Sequence, residues 1–180
     1  MYVSTTFAKT NINPPLGIGL RGYYVPRYAK GFLDDLYVKA LAITDGNETV
    51  LLMVADLCAA DNDIVAVCKT EISKRTGLAE GNIFLGATHT HTGPLMTNEG
   101  VRFDVDDTLI SKYRTLLISR IIDAAVLALV AGIGVLDVPR NKAANSGHLL
   151  TVGLLILAHE HLLHDGKICA KRLVGIVPRS

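Results

Sequence analysis

Apolar and polar positions change rhythm several times along the chain, and each change marks an element. Residues 2–12, "YVSTTFAKTNI", alternate weakly and are rich in β-formers, which predicts a first strand. Residues 13–24, "NPPLGIGLRGYY", hold two prolines and three glycines and read as loop. Two apolar runs then flank "DGNE": "LYVKALAI" at 36–43 and "TVLLMVADL" at 49–57. Asp45-Gly46 between them predicts a hairpin, because glycine tolerates the positive φ that tight turns require. The second run is apolar on both faces, as a central strand would be.

Beyond the hairpin the spacing turns helical. Asp61, Asn62 and Asp63 can cap a helix over about 63–76 by accepting from free backbone N–H groups, and Gly77 can end it in a left-handed conformation. "NIFLGATH" predicts a short buried strand. A longer helix is expected from about Thr108 to Val130, with Asp106 and Asp107 at its positive end. Tyr113, Leu117, Ile121, Ala124 and Ala128 recur at helical spacing and form its predicted core stripe. "IGVLDV" at 133–138 predicts another strand. "TVGLLILAHE" and "ICAKRLVGIV" predict a final hairpin around Asp165-Gly166.

Strands and helices alternate through the first 138 residues, which predicts an α/β fold: a mixed, mainly buried sheet of about five or six strands layered with two main helices. The 180 residues suit one domain, 1–180, and half of them are hydrophobic, enough for a sizeable core. Lys plus Arg count 18 against 17 Asp plus Glu, with no block of like charges and no Trp. That argues against a nucleic-acid partner, which would want a basic patch and stacking platforms. Cys58, Cys68 and Cys169 are too few and too scattered for a disulfide framework or a CxxC knuckle, and read as small apolar side chains in a reducing compartment. The greasy runs 124–136 and 149–158 fall short of the roughly 20 residues of a spanning helix, so no transmembrane segment is expected. The opening "MYVSTTFAKT" lacks a basic n-region and an apolar h-region, so the expected location is cytoplasmic.

Candidate chemistry enters at "GATHTHTGPL", residues 86–95. Residues two apart on a strand share a face, so His89 and His91 can look at one site. Neutral imidazole is a good zinc ligand. The same pair also reads as two polar residues where a strand meets a loop. Thr92, Gly93 and Pro94 follow His91, which rules out the HxHxDH pattern of metallo-β-lactamase-type sites. An HxH after four predicted strands and a helix also fits poorly the first strand of an amidohydrolase barrel. "HEHLLH" at 159–164 is not an HExxH helix motif, because position 163 is Leu. On a hairpin, His159 and His161 can share a face and join His89; the alternative for them and for His148 and His164 is solvent-exposed loop.

The longer pattern is more specific. "ATHTHTGP" resembles the "THTHSGP" signature of the neutral/alkaline, non-lysosomal ceramidase family. "TNINPPLGIGLRGY", "GFLDDLYVKALAITDGNETVLLMVADL" and "ISKRTGLAEGNIFLGATHTHTGP" are similar, in order and spacing, to the blocks that surround it in that family. The resemblance runs over about 6–137, and 138–180 is a divergent region with a hairpin-like pattern. It implies a zinc-dependent hydrolase that splits an N-acyl amide such as ceramide into an amine and a fatty acid, a reaction of sphingolipid metabolism. It implies that His89 is a zinc ligand, that His91 lines the site close to the metal and can pass a proton to the leaving amine, and that Asp56 lies near the active centre. Asp56 also reads as a helix-capping or turn-stabilising carboxylate at a strand end. Arg21 is a candidate for the cleft or for solvent.

The pattern departs from the family towards its end. Family members carry a second histidine ligand, then a glutamate, a tyrosine and a serine, further along than this sequence extends, and "PRNKAANSGH" aligns poorly, although Arg140 can be the remnant of a substrate-facing arginine. The chain is thus expected to be the N-terminal portion of a larger catalytic domain. With one metal ligand of its own it is expected to bind zinc weakly and turn over little, because zinc sites use three or four protein ligands. Two alternatives stand beside this reading: a non-catalytic α/β interaction module, whose uncovered apolar surface would favour a homo-oligomer, and a metal-dependent hydrolase of another amide or ester.

Overall fold

The computed structural model of the protein describes residues 3–98 and 103–136. The predicted final hairpin, Arg140 and the four C-terminal histidines lie outside the described residues.

Among the described residues, four strands form one mixed sheet in the order β1-β2-β3-β4. β1 (Ser4–Asn11) pairs antiparallel with β2 (Tyr37–Thr44), and β2 pairs antiparallel with β3 (Thr49–Ala55). The turn between β2 and β3 is the expected Asp45-Gly46 hairpin. Asp45 Oδ1 accepts from the backbone N–H groups of Asn47 and Glu48 at 2.9 and 2.8 Å. Those two bonds, Glu48's first, hold the Asp45 carboxyl below its ordinary value.

From β3 the chain enters α1 (Asn62–Thr76) and returns through a single 3-10 turn, Glu80–Asn82, into β4 (Ile83–Ala87). β4 lies parallel to β3, Leu51 opposite Ile83 and Ala55 opposite Ala87. A helix must intervene, because two parallel strands cannot be joined by a tight turn. α1 buries Ile64, Cys68 and Ile72, spaced one helical turn apart. Gly77 ends it as predicted, at φ 74°, with its N–H donated to the Ser73 carbonyl at 2.8 Å. Its start differs from expectation. Asp61 occupies the N-cap without a side-chain capping bond, because its carboxylate is taken by Arg21 at 2.7 Å.

α2 (Asp107–Leu136) is the expected long helix. Asp106 Oδ1 accepts from the Leu109 N–H at 3.0 Å and caps its first turn. The predicted stripe Tyr113, Leu117, Ile121, Ala124 and Ala128 is buried throughout. α2 lies against β1, β2 and α1. Thr6 and Thr10 of β1 donate to the Ala128 and Arg120 carbonyls at 2.5 and 2.7 Å, and the Tyr113 hydroxyl donates to the Ile12 carbonyl at 2.7 Å. One expectation fails here. "IGVLDV" is not a strand as far as it is described: the helix continues through it to Leu136. Each added helical residue gains a backbone hydrogen bond at little entropic cost, and an interior glycine costs only about 1 kcal/mol, so Gly132 and Gly134 do not stop it. No described helix is long and apolar enough to cross a membrane.

Pairing and pleat assign the faces. Ala8, Ala40, Met53 and Leu85 share the face that meets the helices, and Phe7, Leu41, Leu52 and Phe84 share the other. β3 is interior, as predicted. β4 is the outer strand among the described residues, and Phe84 stands 55% exposed on it. An apolar run shows that side chains can be buried, not how many neighbours the strand has.

Candidate metal centre

The parallel pairing of β3 and β4 brings their carboxyl ends side by side, and the chemistry gathers there. The hydrogen bonds continue past the sheet: Thr88 N–H donates to the Ala55 carbonyl at 3.0 Å and Thr90 N–H to Leu57 at 3.2 Å. The segment carrying the histidines is thereby sewn to Leu57-Cys58, the segment that leaves β3.

His89 is the described non-glycine residue with positive φ, 64°. That conformation costs roughly 1–2 kcal/mol for an L-residue. In this backbone its Nδ1 lies 2.7 Å from the Cys58 carbonyl oxygen. A carbonyl can only accept, so Nδ1 carries the proton and, in the neutral ring, Nε2 keeps its lone pair. A backbone carbonyl on the far nitrogen is a usual way to fix the tautomer of a metal-binding histidine.

His91 Nε2 stands 3.5 Å from His89 Nε2, with the two rings nearly perpendicular at 78°. Two nitrogens at about 2.0–2.1 Å from one tetrahedral zinc lie roughly 3.3 Å apart. The spacing therefore suits two ligands of one ion. The Sγ of Cys58 completes a group in which all ligand atoms lie within 4.8 Å of one another. Cys58 is buried and both imidazoles are exposed. A thiol and two imidazoles form a donor set that suits zinc, so the residues present could hold a metal ion.

The loop 13–28 walls this centre. Leu20 bridges to Pro94, Arg21 N–H donates to the Gly93 carbonyl at 3.0 Å, and Leu95 N–H donates to Gly19 at 2.7 Å. Tyr23 stands edge-on to the His91 ring at 6.4 Å. The Arg21 side chain is 32% exposed. It pairs with Asp61 and, with Asp61, Asp63, Asn98, Asp107 and Arg114, lines an open cavity of about 730 Å³. Arg114 closes that network, donating to the Met96 carbonyl at 2.6 Å and to Asp63.

Asp56 is placed at the end of β3, as expected, but its described bonds serve the sheet. Its Oδ2 accepts from the Tyr37 N–H at 3.0 Å while its own N–H donates to the Tyr37 carbonyl at 2.8 Å. The two bonds join the end of β3 to the start of β2. The residue that sequence reasoning missed is Cys58, taken there as a core side chain. The signal was available: "ADLC" and "ATHTH" both follow apolar strands, and a parallel pair joined by one helix places both strand ends together.

The comparisons agree with this architecture. No protein-family model matches the chain, and no curated protein sequence does. Among solved structures, the chain is similar to the neutral ceramidase of Pseudomonas aeruginosa, with a TM-score of 0.62 and 19% identity over 72% of this chain. A structure described as ceramidase complexed with C2 matches with the same score, identity and coverage. The chain spans about a fifth of their length, 22% and 21% respectively. At this identity the likeness establishes a shared fold.

Proposed function

We propose that the chain is a ceramidase-like, metal-dependent hydrolase that cleaves an N-acyl amide into an amine and a fatty acid at the β3–β4 strand ends. The observation that carries this reading is the 3.5 Å separation of the His89 and His91 Nε2 atoms, at the carboxyl end of a parallel strand pair. Open α/β sheets bind ligands at that end. The likeness of the fold to neutral ceramidases, and of "ATHTHTGP" to their signature, support the choice of reaction and of zinc.

His89 would hold the ion through Nε2, with Nδ1–H fixed on the Cys58 carbonyl. His91 presents its Nε2 to the same point. Asp56 positions the centre by locking the end of β3, from which Cys58 emerges. A bound zinc would polarise the amide carbonyl and acidify its water. The substrate class is a lipid-like N-acyl amide.

The test is fatty-acid release from a short-chain N-acyl sphingoid base by the purified chain, alongside zinc content. Zinc-dependent release that disappears in His89→Ala is the expected result. Release unchanged by a chelator and by His89→Ala would sink the reading. A second reading is a metal-holding α/β module without turnover, since Cys58, His89 and His91 by themselves form a group that could hold an ion. Stoichiometric zinc, lost in His89→Ala, with no hydrolysis would select it.

A further inference from the structure

We infer that the Cys58 thiolate is itself a metal ligand, so that Cys58, His89 and His91 make a three-ligand centre within this one chain. The inference rests on the reading above and deepens it: the ion is held by sulfur as well as nitrogen, and His91 ligates it rather than merely lining the site.

Three observations converge. The three ligand atoms lie within 4.8 Å of one another, on two segments cross-linked by backbone hydrogen bonds from Thr88 and Thr90. The Cys58 carbonyl orients His89, so one residue addresses the centre with both its backbone and its side chain. Burial is graded, with Cys58 8% exposed beneath two exposed imidazoles, which leaves the outer side of the ion open to water or substrate. Three protein ligands and one open position is the arrangement of catalytic zinc, whereas structural zinc takes four.

A specific ligand preference follows. Thiolate with imidazole selects zinc or cobalt and disfavours magnesium and calcium, which require oxygen ligands. On binding, the Cys58 thiol gives its one proton to solvent, the S–metal bond forms, and one intact water leaves the ion, with no change of oxidation state.

Cobalt(II) titration of the metal-free full chain tests this, with Cys58→Ser and His89→Ala beside it. Thiolate bound to cobalt gives an intense near-ultraviolet charge-transfer band that imidazole alone does not give. The expected result is one cobalt per chain with that band, competed by zinc and not by magnesium. Cys58→Ser should lose the band and at least tenfold in affinity while keeping the wild-type circular dichroism. Cobalt bound without the band, or a band that persists in Cys58→Ser, overturns the thiolate ligand and leaves the histidine-centred reading standing. Absence of any cobalt binding by the folded wild type overturns both. If Cys58→Ser fails to fold, the wild-type band decides: it must vanish in His89→Ala and be displaced by zinc, and a band indifferent to both overturns the inference.

Discussion

Gly22 controls the centre without offering it a ligand. It sits at φ 96°, and a Cβ built there would lie 2.6 Å from Cγ and 2.9 Å from Cβ of His91. No real Cβ tolerates that approach, and the two segments cannot simply part, because Leu20 bridges to Pro94 and Arg21 N–H is bonded to the Gly93 carbonyl. Gly22→Ala is therefore expected to do two separable things. Its backbone strain should lower stability by about 1–2 kcal/mol, read from urea denaturation. Its displacement of the His91 ring should weaken zinc binding roughly tenfold or more, the range seen when groups that orient a ligand are lost. Gly17→Ala is the control, since Gly17 also has positive φ, 87°, with nothing within 4 Å of the added methyl. It should show the strain and keep the zinc affinity. Equal zinc affinity in Gly22→Ala and wild type would show that this contact does not set the position of His91.

The two faces of β4 carry opposite expectations. Leu85 points to the helices and packs against the core cluster, while Phe84, its neighbour, is 55% exposed on the other face. Leu85→Asp places a carboxylate among apolar side chains with no partner and should destabilise the chain by about 3 kcal/mol or more. Phe84→Asp should cost less than about 1 kcal/mol. Denaturation midpoints measured side by side check this, and equal losses would mean that the face assignment is wrong. The same strand shows what the sequence discloses and what it withholds. Alternation in "STTFAKTN", the Asp45-Gly46 turn and the α2 stripe are local patterns, so those elements were legible with their boundaries nearly right. The exposure of Phe84 among the described residues and the length of α2 were not, because both depend on neighbours that no local pattern names. The site divides in the same way. His89 and His91 declare themselves by spacing within one segment, but Cys58 joins them only through parallel pairing across 31 residues. Asp61 reads as a cap in sequence, yet Arg21, 40 residues away, takes its carboxylate.

For the whole molecule, two buried acids make stability fall on the alkaline side. Burial pushes the Cys68 thiol, on the inner face of α1, from an ordinary 9.0 up to about 12. Burial also raises the Tyr113 hydroxyl, on the inner face of α2, above its ordinary 10.0. Both groups stay neutral in the folded chain at pH values where they ionise in the unfolded chain. Below pH 9 both states hold both protons and the contribution to stability is complete. As pH rises through 9 the unfolded state binds fewer protons than the folded one, so stability declines, at a limiting slope of about 1.4 kcal/mol per pH unit per group. Tyr113 adds most of its share above 10, so the interval from 9 to 10 reports chiefly on Cys68. On the acid side the sign reverses: Asp35, held below its ordinary value by hydrogen bonds from Asn13 and then Tyr37, loses its contribution as pH falls through its folded value. The decisive comparison is urea unfolding of wild type and Cys68→Ala between pH 8 and 10, with a chelator present so that metal binding does not enter. Wild type should lose about 1 kcal/mol across the upper unit of that range. Cys68→Ala should start lower, because it leaves a small gap beside Ile64 and Ile72, but its stability should stay nearly level to pH 10. Parallel declines in the two proteins would show that the thiol is not the group that keeps its proton on folding, and would remove α1 from the account of alkaline unfolding.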